Sequence, residues 1–155
     1  MNVLIEQAQH VFSDFENISK RLPDAISQLN KGDRFRQVHD ILTVLVIVQE
    51  EVVELRLNKI LRAEHPYLPP IDINSLIEIR RTKNASIQEL TDEFLNQRKS
   101  FLKLLGNLSP ETWERTGFHE VEGHLTFREL VRRMNEKDGA LVRKLDDLIS
   151  QSAAT

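Results

Sequence analysis

The stretch from Phe35 to Ala63, FRQVHDILTVLVIVQEEVVELRLNKILRA, most narrows what this chain can become. Its centre, ILTVLVIV, is β-branched and reads locally as a buried strand. The apolar pattern nevertheless runs on through Val52, Leu55, Ile60 and Leu61, with Glu50, Glu51, Glu54 and Lys59 between them. Length therefore favours a single helix, enclosed on all sides near its start. Its most apolar part, Ile41 to Val48, is interrupted by Thr43 and is far shorter than the roughly 18 residues a membrane span requires.

Helical periodicity recurs elsewhere. Val3, Leu4, Ala8, Val11, Phe12, Phe15 and Ile18 repeat at three- and four-residue spacing and predict a first helix. Leu22-Pro23 predicts a kink, followed by a short piece from Asp24 to Leu29 and a turn at Lys31-Gly32-Asp33. The stretch HPYLPPIDI, His65 to Ile73, holds three of the five prolines and reads as a long connection, which permits a crossover between non-adjacent corners of a bundle. NSLIEIRRTKN is a short, moderately helical stretch. Ser86-Ile87-Gln88-Glu89 has capping-box form and opens a helix with core face Leu90, Phe94, Arg98 in part, Phe101, Leu102 and Leu105. That helix is predicted to end near Gly106, in the left-handed conformation. Ser109-Pro110-Glu111 starts a short helix carrying Trp113, and Gly117 to Leu125 reads as a turn or small hairpin. Thr126-Phe127-Arg128-Glu129 repeats the capping-box pattern and opens the last helix. Its inward line is Phe127, Leu130, Val131, Met134, Leu141, Leu145 and Leu148, with position 137 or 138 where the next apolar residue belongs.

A chain of 155 residues suits one domain, taken as 1–151 with a frayed tail at 152–155. The net charge of −3, from 21 basic and 24 acidic residues spread along the chain, argues against nucleic acid as a partner. With no cysteine, thiolate nucleophiles, thiolate zinc sites and disulfides are excluded, and metal ligation falls to histidine and carboxylate. The start, MNVLIEQAQH, has no apolar signal region, so a cytoplasmic protein with no membrane partner is expected.

Leu108-Ser109-Pro110-Glu111, then Trp113, Arg115, Gly117, Gly123, Thr126 and Glu129-Leu130-Val131, resembles the end of a DinB-like (YfiT-like) four-helix bundle. Val38 to Leu45 is similar to the opening of that family's second helix, and Arg56 to Pro69 to its run into a Pro-rich crossover. The resemblance spans about Leu22 to Ile149 and implies an all-α four-helix bundle, with a long crossover between helices two and three and a short helix and turn before the last helix. It also implies a central divalent metal held by three histidines. Those positions read Val44, Lys137 and Leu141 here, and none supplies the expected ligand: valine and leucine have no donor atom, and a lysine must first lose its proton. Asp138, Leu45 and Met134 are the expected neighbours of any surviving pocket.

Two functional readings follow. The first is a metal-free, non-catalytic binding or interaction module without a cofactor, expected as a homodimer and leaving room for a small-molecule ligand. The alternative is a metal-dependent transferase or hydrolase using non-standard ligands. Lys137 either replaces the metal's charge inside the bundle or packs its stem and reaches solvent. His119 and His124, with Glu120 and Glu122 nearby, could form a loop metal site or a solvated turn, whereas His39, about 140° around the helix from Val44, cannot replace it. Trp113 and Arg115 suggest either a cation–π ligand contact or packing of the short helix. Arg128, Arg132 and Arg133 read as a basic patch, with Glu129 pairing to Arg133. Gly139 in mid-helix implies close approach of another helix or subunit, or a local break.

Overall fold

The computed structural model describes residues 2–29 and 32–153, the last three by backbone alone. Its helices are α1 (Val3–Leu29), α2 (Asp33–Val48), a π-helical segment (Gln49–Leu57), α3 (Asn58–Arg62), α4 (Ile73–Arg81), α5 (Ile87–Gly106) and α6 (Phe127–Ala153). A 3-10 turn (Pro110–Glu114) and a hairpin of β1 (Thr116–His119) and β2 (Gly123–Thr126) precede α6. The second helix of the bundle is thus α2, the π-helical segment and α3 in one unbroken run.

The core is two apolar clusters stacked end to end. One joins Val11, Phe15 and Ile18 to Val38, Ile41 and Leu42, Leu90 and Phe94, and Val142, Leu145 and Ile149. The other joins Leu4 and Ala8 to Val53, Leu57 and Ile60, Phe101 and Leu105, and Phe127, Leu130 and Met134. This sharing fixes the helix directions: α1 and α6 run one way, α2 and α5 the other. Each of α1 and α2 packs along both α5 and α6, whereas α1 barely touches α2 and α5 barely touches α6, so those pairs are the diagonals of the bundle. The crossover therefore joins α3 to α5 at neighbouring corners, although its length would also permit non-adjacent ones. It is long because α2 and α5 run in the same direction, so the chain must return the length of the bundle.

Several local expectations change. Pro23 lies inside an unbroken α1. It is exposed, so water can satisfy the carbonyl its missing N–H leaves free, and burial of Leu22 and Leu29 on the core-facing side holds the helix together. Gly106 is not left-handed, since Gly123 is the glycine with positive φ among the described residues. Asn107 ends α5 instead, its N–H donating to the Leu104 carbonyl at 3.1 Å and its side-chain amide to the Lys103 carbonyl at 3.0 Å. The Ser86 capping box is complete, with Glu89 N–H on Ser86 Oγ at 3.0 Å and the return bond at 3.4 Å. At α6 only half a box forms: Glu129 N–H donates to Thr126 Oγ1 at 3.0 Å, while the Glu129 carboxylate turns to Arg132 and Arg133. The helix continues past Gly139 without a break and reaches Ala153; 154 and 155 of the expected tail, and Lys31 of the expected turn, lie outside the described residues.

The inward line of α6 also shifts. Val142 and Ile149 are buried where Leu141 and Leu148 were expected, and the disputed position belongs to Asp138. Lys137 is exposed.

Candidate functional site

A cleft of about 370 Å³ opens where the second helix, the crossover, the hairpin and α6 meet. Val48, Glu51, Val52 and Arg56 line it from the second helix, and Leu130, Arg133, Met134 and Lys137 from α6. Pro70, Ile71 and Ile73 close one side, and His119 and Glu122 another. The π-helical segment sets the first wall. Its hydrogen bonds close over five residues, so Glu51 and Arg56, five apart, share a side. Nothing in QEEVVELRL signals that register: the segment has neither proline nor glycine.

The hairpin is anchored by the chain that enters the crossover. Leu68 N–H donates to the Phe118 carbonyl and Phe118 N–H to the Pro66 carbonyl, both at 2.7 Å. Gly117 permits this approach, because a Cβ there would sit 2.7 Å from the buried Leu68 side chain. Arg115 caps the end of α3, donating to the Ile60 and Ala63 carbonyls at 2.9 Å each. It makes no stack with Trp113, whose ring packs edge-on against Phe127 and lies under Arg128.

Electrostatically the cleft is unevenly paired. Arg133 bonds Glu122 at 2.8 Å and Glu129 at 3.0 Å, which raises its own pKa and lowers that of Glu122. The expected Glu129–Arg133 pair is therefore present, and the basic start of α6 is compensated: Arg132 bonds Glu129 and Glu136, and Arg128 bonds Glu114. Arg56 donates from Nη2 to the Pro69 carbonyl at 3.0 Å, and its buried Nε has no hydrogen-bond partner. Burial lowers the Arg56 pKa, with Glu122 and Glu51 opposing and Arg133 adding to the effect. Lys137 enters no ion pair among the described residues.

The residues singled out from the sequence separate. Lys137 and Met134 line the cleft, but Val44 and Leu141 are half-buried in the packing on either side of the core. Leu45 and Asp138 are fully enclosed, so of the three expected pocket neighbours Met134 alone reaches the cleft. His119 and His124 cannot act together. Phe118 is paired with His124 and His119 with Gly123, and directly paired residues share a face, so the two imidazoles lie on opposite faces of the ribbon. His124 packs against His65 and Phe118. His119 lines the cleft, its Nδ1 accepting from the Val121 and Glu122 N–H groups at 3.2 Å each, which assigns the proton of the neutral ring to Nε2. His39 is engaged with the Ala85 carbonyl at 2.8 Å.

A divalent metal does not fit this donor set. Glu122 is already engaged by Arg133, three cationic side chains surround the space, and among the described residues no three histidine, aspartate or glutamate groups gather to hold an ion.

The buried charge lies elsewhere. Between the two apolar clusters Arg98 of α5 meets Asp138 of α6 across a diagonal of the bundle, both side chains wholly inaccessible. Phe94 and Phe101 flank the guanidinium, each ring centre 5.3 Å from its central carbon. Burial lowers the Arg98 pKa to about 9, which leaves it charged at neutral pH. Arg98 Nε and Nη1 and one Asp138 oxygen have no hydrogen-bond partner. The sequence places Arg98 partly on the core face and leaves position 137 or 138 on the inward line of α6. The signal for the pair was the apolar stripe of α6 reading on register at 138.

No protein-family model matches the chain, and no curated protein matches its sequence. Among solved structures it is similar to YfiT from Bacillus subtilis, a probable metal-dependent hydrolase with an unusual four-helix bundle topology. The TM-score is 0.71 at 17% identity, covering 97% of this chain and 89% of that one. The chain therefore has the YfiT-like, DinB-like four-helix fold. No helix among the described residues is long and apolar enough to cross a membrane.

Proposed function

We propose that this chain, which has the fold of YfiT, is a metal-free, non-catalytic binding module that takes a small molecule in the cleft between its second helix and α6. One observation carries the reading: the cleft beside Lys137 combines apolar walls with cationic side chains in place of a ligating set. Its volume is within the range of about 300–1,000 Å³ typical of small-molecule sites. The alternative, a metal-dependent hydrolase or transferase with non-standard ligands, draws on the fold shared with YfiT and would have to recruit Glu51, His119 and Glu122 against three neighbouring cations.

Metal analysis of protein purified without chelator separates the two. The binding reading expects zinc, nickel and iron well below one per chain, and no change in melting temperature on adding any of them. One equivalent of bound metal, lost together with stability when His119 is changed to alanine, would overturn it.

A further inference from the structure

We infer that the cleft selects an amphipathic monoanion, a carboxylate on an apolar body, with Lys137 and Arg56 receiving the head group. The inference rests on the binding reading above and adds the ligand's charge and shape.

Charge pairing is its first support. Of the three cations lining the cleft, Arg133 is consumed by Glu122 and Glu129. Lys137 has no ion pair among the described residues, and Arg56 has a carbonyl on Nη2 and nothing on its buried Nε. A carboxylate is the acceptor that both lack: a guanidinium edge presents parallel donors to its two oxygens, and an ammonium adds a point charge. Around the half-buried Arg56 the medium screens less than water, which strengthens its contact, whereas the exposed Lys137 acts as a solvated point charge.

The walls supply the rest of the selectivity. Val48 and Val52 face the cleft from one helix, Leu130 and Met134 from another, and Ile71 and Ile73 from the crossover, a lining suited to an apolar chain or ring. Glu51 and Glu122 also line the space, so a second negative charge on the ligand would be opposed. A cationic ligand would meet Lys137 and Arg56.

An NMR titration with three isosteric probes, octanoate, octanamide and octylammonium, tests this. Octanoate is expected to shift the amides of Glu51–Arg56, Ile71–Ile73 and Leu130–Lys137, with a dissociation constant at least ten-fold below that of octanamide, and octylammonium to bind more weakly than either. Lys137→Met, a change at an exposed position, should bring the affinities for octanoate and octanamide measured in the same variant to near equality, whereas Lys137→Arg, which keeps the charge, should retain the preference for octanoate. Equal affinity for octanoate and octanamide, or a preference that survives Lys137→Met, would overturn the charge assignment and leave the cleft a small-molecule site. If no probe moved the cleft amides, the binding reading itself would fall.

Discussion

A buried arginine facing a buried aspartate is a poor source of net stability, since removing both charges from water costs several kcal/mol that their attraction must repay. Arg98 and Asp138 nevertheless close the gap between the two apolar clusters, and each depends on the other. Arg98→Met or Asp138→Leu alone is expected to cost about 3–5 kcal/mol, because the remaining charge is left buried and unpaired. The double substitution should recover most of that loss in urea unfolding. If the losses simply added, the two residues would be acting independently. The glycines divide in the same local way. A Cβ at Gly139 would meet Arg143 Nη1 at 3.5 Å and Val11 at 3.9 Å, ordinary contacts, so no helix of the same chain requires a glycine there. Gly139→Ala should therefore raise stability by about 1 kcal/mol, whereas Gly117→Ala, driven into Leu68, should lower it by about 1–3 kcal/mol.

At the scale of elements, α4 is held differently from the rest of the bundle. It has no fully buried residue; Ile73 packs against the second cluster, and beyond that half-buried contact its ties are ionic: Arg80 to Glu50 at 3.2 Å and to Glu93, and Arg81 to Asp40 at 3.2 Å. Arg80→Met should speed amide exchange across Ile73–Arg81 at least ten-fold and leave α1 and α6 unchanged. If α1 and α6 exchanged faster as well, the latch would be part of the core. Glu50 gives this attachment a pH dependence. Burial raises its pKa above the usual carboxylate range, with Glu93 adding and Arg80 opposing. The folded state then holds the Glu50 proton more tightly than the unfolded one, so this contribution to stability falls as pH rises from the ordinary carboxylate pKa to the raised value. Glu50→Gln has no such titration. The stability of the native chain relative to Glu50→Gln should decline through that window and level off above it; a difference growing with pH would mean that Arg80 outweighs burial. Elements of this kind explain what the sequence showed and what it hid. Periodicity and capping residues located the main helices, but the uninterrupted α1, the π-helical register and the corners joined by the crossover depend on tertiary burial that no local signal carries.

Across the whole molecule, the bundle was legible because four long amphipathic runs and the Leu108-to-Val131 pattern agree with one architecture. The cleft was legible at Lys137 and Met134, and in part at His119, Glu122 and Arg133, which the sequence offered as a loop metal site and a basic patch. Arg56, Glu51, Ile71 and Ile73 reach it through the π-helical register and the path of the crossover, and Asp138 left the expected pocket because it pairs inside the core. The same arrangement bears on how the chain unfolds. The Arg98–Asp138 layer separates the two clusters, yet α1, α2, α5 and α6 each bury residues at both ends of the bundle. Melting either cluster alone would expose half of every long helix and strand the ion pair, so the clusters should unfold in one transition. Trp113, the single tryptophan, packs in the cluster with Phe127 and reports on that end, whereas far-ultraviolet circular dichroism reports on all the helices. The two signals are expected to trace the same midpoint and slope in urea. An earlier tryptophan transition would show that the polar layer uncouples the ends, and the R98M/D138L pair, which makes the core continuous, should then bring the curves back together.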